Sequence, residues 1–315
     1  MTKIAAYTSD DINSAGSRLR SFYLFKFSQE YGVTVCRSLG LLESLSCDQL
    51  HLQKCYKPKH LAQALLFRIL GKQVIFDICD QATRWTHKFA IFMAMKIASA
   101  VTTDTDARAA YCRRYVSDRK VSSLPDVLDV DPVKNINLIT RANPQSKGIL
   151  WTGHRGNLDS VNELLRMMEA ENDFHMIVIT NLQVNDPLHK QYPYIKFIQW
   201  TLDCIFDTAI DVGFMVLNHQ WMDDPDSVYK SENKMVLSIA AGLIPIVSRT
   251  PAYEKLATAL GAEQLVFDEF DEVFDIINSL DANWISDFFV RSQKYIIDNY
   301  SAENIFLKYK SLTHC

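Results

Sequence analysis

The sequence contains no segment that could cross a membrane as a helix and no recognisable targeting segment. No stretch reaches the roughly 18 consecutive apolar residues that a spanning helix needs. The most apolar helical candidate, residues 89–101, is interrupted by Lys96. The N-terminus lacks the basic start, apolar stretch and small-residue cleavage site of a signal peptide. We therefore expect a cytoplasmic protein.

Neither sign of charge is in large excess. The chain has 33 Lys and Arg residues against 37 Asp and Glu residues, which gives a formal net charge of −4. A chain of this charge has no global basic field to hold nucleic acid, so we expect no nucleic-acid partner. A local basic cluster at Arg113, Arg114, Arg119 and Lys120 is typical of a solvated face. The alternative is a patch for anionic lipid headgroups and peripheral membrane association.

The cysteines lack the spacing of a metal site. There are seven, no CxxC pair occurs among them, and the odd count shows no disulfide pattern. Cys36 and Cys79 lie in apolar, strand-like runs and are typical of small core residues. Reduced thiols are expected in a cytosolic protein, and no metal site is predicted.

Glycine-rich nucleotide loops are also missing. The chain has only 10 glycines, and none of them forms a G-x-G-x-x-G run after the first predicted strand or a P-loop with its lysine. These two loops carry dinucleotide and nucleoside triphosphate binding in their families. Their absence argues against a nicotinamide-dependent oxidoreductase and against a P-loop hydrolase.

The sequence does contain a regular alternation of short β-rich runs with helical patterns, which predicts an α/β fold with parallel sheets. Strands are predicted at 4–8, 33–37, 49–54, 73–77, 100–103, 121–124, 148–153, 175–180, 195–200, 213–217, 244–248 and 264–267. Helices are predicted from the first loop to about residue 30 and at 60–70, 82–99, 106–115, 158–171, 202–209, 231–241, 251–260, 271–280, 284–300 and 302–312.

The alternation breaks once, around residues 131–147. This stretch is polar and contains Pro132 and Pro144, which is typical of a linker between domains. It separates two βα-repeating halves, so we predict Rossmann-like domains at 1–135 and 145–282. Residues 283–315 form closing helices.

The first candidate site is the polar loop at residues 153–157. It follows a predicted strand, and ligands of parallel sheets bind at the carboxyl ends of strands. Gly153 and Gly156 permit close backbone approach, and the following helix start is expected to offer unpaired N–H groups to an anion. Arg155 is suited to a bidentate phosphate contact. The alternative is a plain strand-to-helix turn with an N-cap.

The second candidate site is the predicted start of the helix 231–241. Lys230 and Lys234 flank this start, and Ser231 is the expected N-cap. Positive charge at a helix N-terminus opposes the helix dipole. The departure from this rule suggests an anion bound between the two lysines. The alternative is a pair of solvated lysines.

The third candidate site lies in the N-terminal half. Asp10 and Asp11 follow the first predicted strand, and Asp80 follows the strand at 73–77. Carboxylates in such positions can act as general bases on a hydroxyl. They can equally cap the helices that follow.

Residues 148–160 (GILWTGHRGNLDS) look like the strand and loop that open the donor domain of one family, the GT4-like glycosyltransferases of bacterial surface-polysaccharide synthesis. Residues 230–234 (KSENK), 240–248 (AAGLIPIVS) and 251–254 (PAYE) are similar to its donor-site signature. Residues 71–80 (GKQVIFDICD) resemble a strand of its N-terminal domain.

The resemblance implies the GT-B architecture, in which two Rossmann-like domains face a cleft and a C-terminal helix crosses back onto the N-terminal domain. It also implies metal-independent transfer of a sugar from a nucleotide-sugar donor to a hydroxyl of a glycan or lipid-linked glycan, in the cytoplasm at the inner face of the membrane. The donor-site residues expected from it and from the two loops are His154, Arg155, Gly156, Asn157, Thr180, Lys230, Ser231, Glu232, Asn233, Lys234 and Glu254.

The chain departs from the family at one important place. Retaining members carry two glutamates eight residues apart across the C-domain helix, whereas this chain has Tyr229 and Leu237. Glu232 or Glu254 would have to replace the glutamate that holds the ribose. The stereochemical outcome is therefore open. An inverting reaction would use Asp10, Asp11 or Asp80 as the general base, and a retaining one could use the donor phosphate.

Two other functions are compatible with the same resemblance. The missing acidic pair also suits a catalytically inactive glycosyltransferase-like subunit that scaffolds polysaccharide assembly. A sugar-nucleotide epimerase shares the fold and would need no acceptor.

Overall fold

The computed structural model describes residues 1–37, 39–80, 85–130, 146–183, 186–202, 204–218 and 227–313. The chain forms two parallel six-stranded sheets flanked by helices, which confirms the predicted α/β class with two Rossmann-like domains. It divides into two compact units, the first of which also contains the residues from Asp298 onwards. Most of the predicted linker, residues 131–145, lies outside the described residues.

The first unit contains the N-terminal sheet. Its strands are β1 (Thr2–Thr8), β2 (Val33–Arg37), β3 (Gln49–Gln53), β4 (Gln73–Ile78), β5 (Ala100–Thr103) and β6 (Val121–Ser123). Their order in the sheet is β2-β1-β3-β4-β5-β6. The helices of this part are α1 (Ala15–Ser17), α2 (Leu41–Ser44), α3 (Pro58–Ile69), α4 (Trp85–Ile97) and α5 (Asp106–Arg113).

The second unit contains the other sheet. Its strands are β7 (Gly148–Thr152), β8 (His175–Thr180), β9 (Ile195–Gln199), β10 (Phe214–Leu217), β11 (Ile244–Ser248) and β12 (Val266–Phe267). Their order is β12-β11-β10-β7-β8-β9. The helices are α6 (Asn162–Met167), α7 (Leu188–Gln191), α8 (Cys204–Thr208), α9 (Asn233–Ala240), α10 (Pro251–Leu260) and α11 (Asp271–Ser279), followed by α12 (Ala282–Tyr300) and, in the first unit, α13 (Ala302–Thr313).

Helix α13 is attached to the first sheet through a buried polar contact. β3 alternates apolar residues with Gln49, His51 and Gln53, and all three polar side chains are buried. The Tyr309 hydroxyl accepts a hydrogen bond from Gln49 Nε2 across 2.7 Å and lies 3.2 Å from His51 Nδ1. Burial lowers the pKa of His51 to about 4, so its ring is neutral near pH 7. The contact gives partners to polar groups that would be costly to bury alone.

Strand positions agree with the sequence predictions to within two residues at each end. The first three residues of the helix predicted at 82–99 lie outside the described residues, and two other helices differ from the prediction. The helix predicted up to residue 30 is α1 followed by a π-helical turn, Arg18–Tyr23, and a 3-10 turn, Ser28–Tyr31. The helix predicted at 158–171 is a 3-10 segment, Arg155–Val161, followed by α6. Tertiary contacts overrode helix propensity in both stretches. Within the described ranges, no helix combines the length and apolarity needed to cross a membrane.

Candidate functional site

The connection order of the second sheet locates its expected ligand site. The chain runs outward from β7 through β8 to β9, and it then builds β10, β11 and β12 on the other side of β7. All pairings are parallel. In such sheets ligands bind at the carboxyl ends of the strands where this order reverses, which here are β7 and β10. Residues 219–226, after β10, lie outside the described residues.

Gly153, the first residue after β7, lies against the indole ring of Trp151. A Cβ atom at Gly153 would lie 2.6 Å from two ring carbons of Trp151. The Trp151 side chain is buried, and close-packed neighbours leave it little room to move. Gly153 is therefore required for packing on Trp151, in addition to the backbone access predicted for it.

The backbone N–H groups after β7 already have partners within the chain. The N–H of Arg155 donates to Asn181 Oδ1 across 2.9 Å, and that of Gly156 donates to His154 Nδ1 across 3.1 Å. The N–H of Asn157 donates to the His154 carbonyl oxygen across 2.8 Å. The expectation that this turn offers unpaired N–H groups to an anion is therefore wrong, because His154 and Asn181 occupy them.

The hydrogen bond at His154 fixes which ring nitrogen can serve a ligand. A backbone N–H can only donate, so Nδ1 is the acceptor, and a neutral ring carries its proton on Nε2. Asn181 Nδ2 lies 3.4 Å from Nε2, but two N–H donors cannot bond to each other. The His154 side chain is exposed. Its Nε2–H is consequently a donor for which the described contacts supply no acceptor.

Arg155 is held by an ion pair instead of pointing freely toward a ligand. Its Nη1 pairs with the Asp186 carboxylate, whose side chain is almost fully buried. Asp186 also accepts hydrogen bonds from the N–H groups of Gln183 and Leu188, each across 3.1 Å. Burial acts to raise the pKa of Asp186, but these N–H groups and Arg155 together lower it. The pair anchors the loop after β7 to the loop after β8.

Helix α9 begins differently from the sequence prediction. Its first residue is Asn233, and its N-cap is Glu232, which makes no side-chain capping hydrogen bond. The prediction of Ser231 as the N-cap was wrong, because the chain enters the helix two residues later. The first turn contains Lys234 and no acidic residue. The first turn itself therefore carries one positive charge, and the N-cap Glu232 directly before it carries a negative one.

Lys234 directs its side chain from α9 onto the end of β7. Its Nζ donates to the Thr152 carbonyl oxygen across 2.9 Å and lies 5.9 Å from the centre of the Trp151 ring. No carboxylate among the described residues forms an ion pair with it. Burial lowers the pKa of Lys234 to about 8, with a smaller contribution from the charge of Lys230. The two predicted elements thus meet, and a half-buried cation lies at their junction.

Of the remaining predicted donor residues, Thr180 is buried and Glu254 is paired with an arginine. Thr180 ends β8 fully buried, and its Oγ1 has no hydrogen-bond partner in the described part of the chain. The Glu254 carboxylate accepts from Arg249 Nη1 across 2.5 Å, and Arg249 also forms two hydrogen bonds with Asp268. The Glu254 side chain is 44% exposed, so it is accessible although it is paired with Arg249.

The other predicted donor residues lie at the start of α9 itself. Lys230 is exposed, and Ser231, Glu232 and Asn233 are half-buried. With Lys234 they form one continuous segment beside the carboxyl end of β7. The helix begins two residues later than predicted, and the donor-binding role of this segment stays a prediction.

In the first unit, two of the three predicted carboxylates, Asp10 and Asp80, interact with a lysine that the sequence did not single out. Lys54 follows β3, and its Nζ pairs with the Asp80 carboxylate. A Cβ atom at Gly16 would lie 3.0 Å from the same Nζ, so Lys54 lies against the loop after β1. Burial opposes the charge on Lys54, but Cys79, Asp80 and Asp10 raise its pKa above the usual value. Lys54 joins the ends of β1, β3 and β4.

Asp10 and Asp11, both in the loop after β1, make different hydrogen bonds. Asp11 Oδ1 accepts from the N–H of Asn13 across 2.9 Å, which closes a local turn in the loop after β1. Asp10 accepts only from the neighbouring Ser9 hydroxyl, across 2.8 Å, among the described contacts. Asp11 therefore has a structural role, and Asp10 and Asp80 remain the carboxylates available at this edge.

Lys54 is also the one non-glycine residue in the described ranges with a left-handed backbone, at φ 53°. Such conformations are costly for residues with a Cβ and are concentrated at functional sites. Nothing in the local sequence signals this conformation. The sequence analysis also missed Asn181 and Asp186, on the β7 side. These two residues could have been found from the sequence, since both follow the strand predicted at 175–180.

A buried ion-pair network supports the edge of the first sheet. Arg20 forms two hydrogen bonds with Asp77, at 2.7 and 2.6 Å, and a third with Asp126 at 3.0 Å. Arg18 forms two bonds of 2.7 Å with Asp129. Burial acts to raise the pKa of Asp77, but Arg20 lowers it. Arg18, Arg20 and Asp77 are buried, whereas the Asp129 side chain keeps 15% of its surface exposed.

Comparison with known proteins finds similar solved structures but no matching sequence family. No family model and no curated protein sequence matches the chain. Anabaena HepE, in a complex with UDP and glucose, is similar over 100% of both chains, with a TM-score of 0.70 and 12% identity. Sucrose-phosphate synthase from Thermosynechococcus elongatus is similar over 100% of this chain and 98% of its own, with a TM-score of 0.71 and 12% identity.

A third solved structure has a different activity. The UDP-GlcNAc 2-epimerase of Neisseria meningitidis, bound to UDP-GlcNAc, is similar over 99% of both chains, with a TM-score of 0.59 and 10% identity. At identities this low, the similarity establishes the fold. The chain has the GT-B fold, which solved glycosyltransferases share.

Proposed function

We propose that the protein is a glycosyltransferase that moves a sugar from a nucleotide-sugar donor to a hydroxyl of a glycan or lipid-linked glycan. The donor diphosphate binds at the carboxyl end of β7, between Lys234 and the exposed edge of His154. The reaction needs no metal ion, because these fixed positive and N–H groups stabilise the charge that develops on the leaving diphosphate.

The observation that carries this proposal is the position of Lys234. Placing a charged ammonium in a half-buried position without a carboxylate partner destabilises the folded protein. The lowered pKa of Lys234 reflects this cost. An anion bound at the end of β7 removes the cost and gains a charge-assisted hydrogen bond. The same edge is the expected ligand site of a sheet with this connection order.

The donor class is proposed from the fold relatives. HepE was solved with UDP and glucose, and the epimerase was solved with UDP-GlcNAc. A UDP-sugar is therefore the first donor to test. Retaining and inverting outcomes both fit the residues present. In an inverting reaction Asp10 or Asp80 accepts the proton of the acceptor hydroxyl, and Lys54 orients Asp80.

Calorimetric titration with UDP, GDP and CMP tests the donor site directly. We expect one of these nucleotides to bind and Lys234→Ala to weaken that binding roughly 10- to 100-fold, the effect of losing a charged hydrogen bond. Lys196→Ala is the matched control, because Lys196 is an exposed lysine on β9 paired with Asp211. Unchanged affinity in Lys234→Ala would refute the phosphate assignment. Activity that disappears with EDTA and returns with Mg²⁺ would refute metal independence.

A sugar-nucleotide epimerase is the second candidate, favoured by the similarity to the N. meningitidis epimerase along 99% of both chains. Incubation with a nucleotide sugar and no acceptor separates the two functions. Conversion of the sugar without transfer supports the epimerase.

A catalytically inactive subunit is favoured by a different observation. Leu237 is a buried apolar residue of α9 at a position where retaining relatives are expected to carry an acid. Nucleotide binding without turnover of any donor or acceptor tested would support that role.

A further inference from the structure

The first unit contains a cavity that the donor site does not explain. It has a volume of about 310 Å³ and lies between α4 and α5. Its walls are mainly apolar, and they include Ile91, Met95 and Tyr111. Ile78, the last residue of β4, also lines it. Since Asp80 comes two residues later, the cavity lies beside the edge where we place the acceptor hydroxyl.

The entrance to this cavity is aromatic and basic. Phe89 and Lys88 line it, and both side chains are exposed, Phe89 by 60%. Trp85, one helical turn before Phe89, is 78% exposed. Large aromatic groups exposed side by side are uncommon unless a partner covers them. α4 contains lysines and a histidine but no carboxylate.

The buried end of the cavity holds an ion pair. Arg108 lines it, and its Nε donates to the Asp104 carboxylate across 2.6 Å in a pair that is almost fully buried. Burial raises the pKa of Asp104 to about 7, so near neutral pH this end is neutral or carries a single positive charge. A separate positive charge, on Lys88, lies at the exposed end. An apolar interior with one cation at its mouth complements a molecule with an apolar chain and an anionic head.

We propose that this cavity binds the apolar chain of the acceptor and that Lys88 binds an acceptor phosphate. The acceptor class is thus a phosphate-bearing amphiphile, such as a glycan precursor linked to a lipid through phosphate. This inference rests on the proposed transferase function. The cavity lies at the small end of the range for ligand sites, so it accommodates a segment of one chain and not a protein element.

Calorimetric titration of the full chain with dodecyl phosphate, kept below its micelle concentration, tests the site. Dodecyl maltoside supplies a similar chain without charge, and inorganic phosphate supplies the head alone. We expect saturable binding of one dodecyl phosphate per chain, weaker binding of dodecyl maltoside and none of phosphate. Phe89→Ser should weaken both amphiphiles about tenfold or more, as expected for losing a phenyl ring that the bound chain would cover.

Matched variants identify each part of the site. Lys88→Gln should weaken dodecyl phosphate and leave dodecyl maltoside unchanged. Lys96→Gln on the same helix and Ile69→Ser on α3, an apolar residue that is 72% exposed, should have no effect, since neither residue lines the cavity. Absence of saturable binding, or equal losses in Phe89→Ser and Ile69→Ser, would overturn the proposal.

Two further measurements separate this inference from its competitors. If Phe89→Ser abolishes binding to phosphatidylglycerol vesicles but leaves dodecyl phosphate binding intact, the surface docks on a membrane and the single-chain site is wrong. UDP titration of Phe89→Ser should match the parent protein, because the donor site is in the other unit. A chain that binds dodecyl phosphate but no nucleotide would refute the proposed function and the acceptor role together. A chain that binds UDP but no amphiphile would refute the cavity alone.

Discussion

Lys234 donates a hydrogen bond from Nζ to the carbonyl oxygen of Thr152 across 2.9 Å, and this bond joins the first turn of α9 to the end of β7. The two residues are 82 positions apart in the sequence. Their contact places a cation where a strand end, an exposed histidine edge and a helix N-terminus meet. A phosphate at this point would meet all three, which is why the donor site is proposed there.

Lys234→Met should make the free protein more stable at pH 7. Burial lowers the folded-state pKa of Lys234 to about 8 from 10.5, so the charged form is disfavoured by folding. We expect a gain of about 2 kcal/mol in the free energy of unfolding, less than the full shift implies because the side chain is half-buried. Urea denaturation measures it. Lower stability of the variant at pH 7 would mean that the charge of Lys234 does not destabilise the folded protein.

The same residue should give a characteristic pH dependence of stability. Above pH 8 the folded protein releases the Lys234 proton, while the unfolded chain keeps it up to about pH 10.5. The unfolded state then binds more protons, so this group makes stability rise with pH between these values. Lys234→Met should remove that rise. Denaturation curves of both proteins at pH 7, 8, 9 and 10 test this, and parallel profiles would contradict it.

Gly153→Ala should destabilise the protein and weaken nucleotide binding together. Its methyl group would lie 2.6 Å from the Trp151 ring, and the ring is packed against the Lys234 side chain. Overpacking of this kind costs roughly 1–3 kcal/mol. Gly40→Ala is the control, since its Cβ would meet Glu43 at an ordinary 3.6 Å. Thermal unfolding and UDP titration measure both effects. Equal behaviour of the two variants would rule out the packing role.

The Arg155–Asp186 pair should matter more for stability than for donor affinity. Asp186→Ala removes the acceptor of two backbone N–H groups and leaves Arg155 without its partner. We expect a loss of about 2 kcal/mol for this partly exposed pair. Arg155→Ala should lower stability less and change UDP affinity little. A large loss of UDP affinity in a folded Arg155→Ala protein would show that the guanidinium leaves Asp186 to bind phosphate.

The three candidate carboxylates of the first unit should differ in their effect on kcat. If the reaction inverts, Asp10→Asn or Asp80→Asn should lower kcat at least about 100-fold without changing UDP affinity, the usual cost of losing a general base. Asp11→Asn should have little effect, because asparagine can still accept from the Asn13 N–H. Steady-state kinetics with the acceptor identify the residue. Full activity in both of the first two variants would favour a retaining reaction.

The sequence predicted the elements of the fold far better than the chemistry of the site. The strand at 175–180 and the helix at 251–260 match the structure to the residue, because apolar and β-branched runs report burial locally. The loop after β7 was also located from the sequence, whereas α9 begins two residues later than predicted. Arg155 was predicted to bind phosphate, yet it pairs with Asp186, 31 positions later.

The sequence by itself determined the parallel α/β class, the strand positions and the candidate edges, since each depends on residue patterns within a few turns of chain. Tertiary structure alone decided which charges are paired and which are not. Arg155, Asp80 and Glu254 are bound to Asp186, Lys54 and Arg249, while Lys234 meets a carbonyl oxygen. The physical reason is that an ion pair depends on which strand ends the topology brings within a few ångströms, and burial then determines what each remaining charge costs.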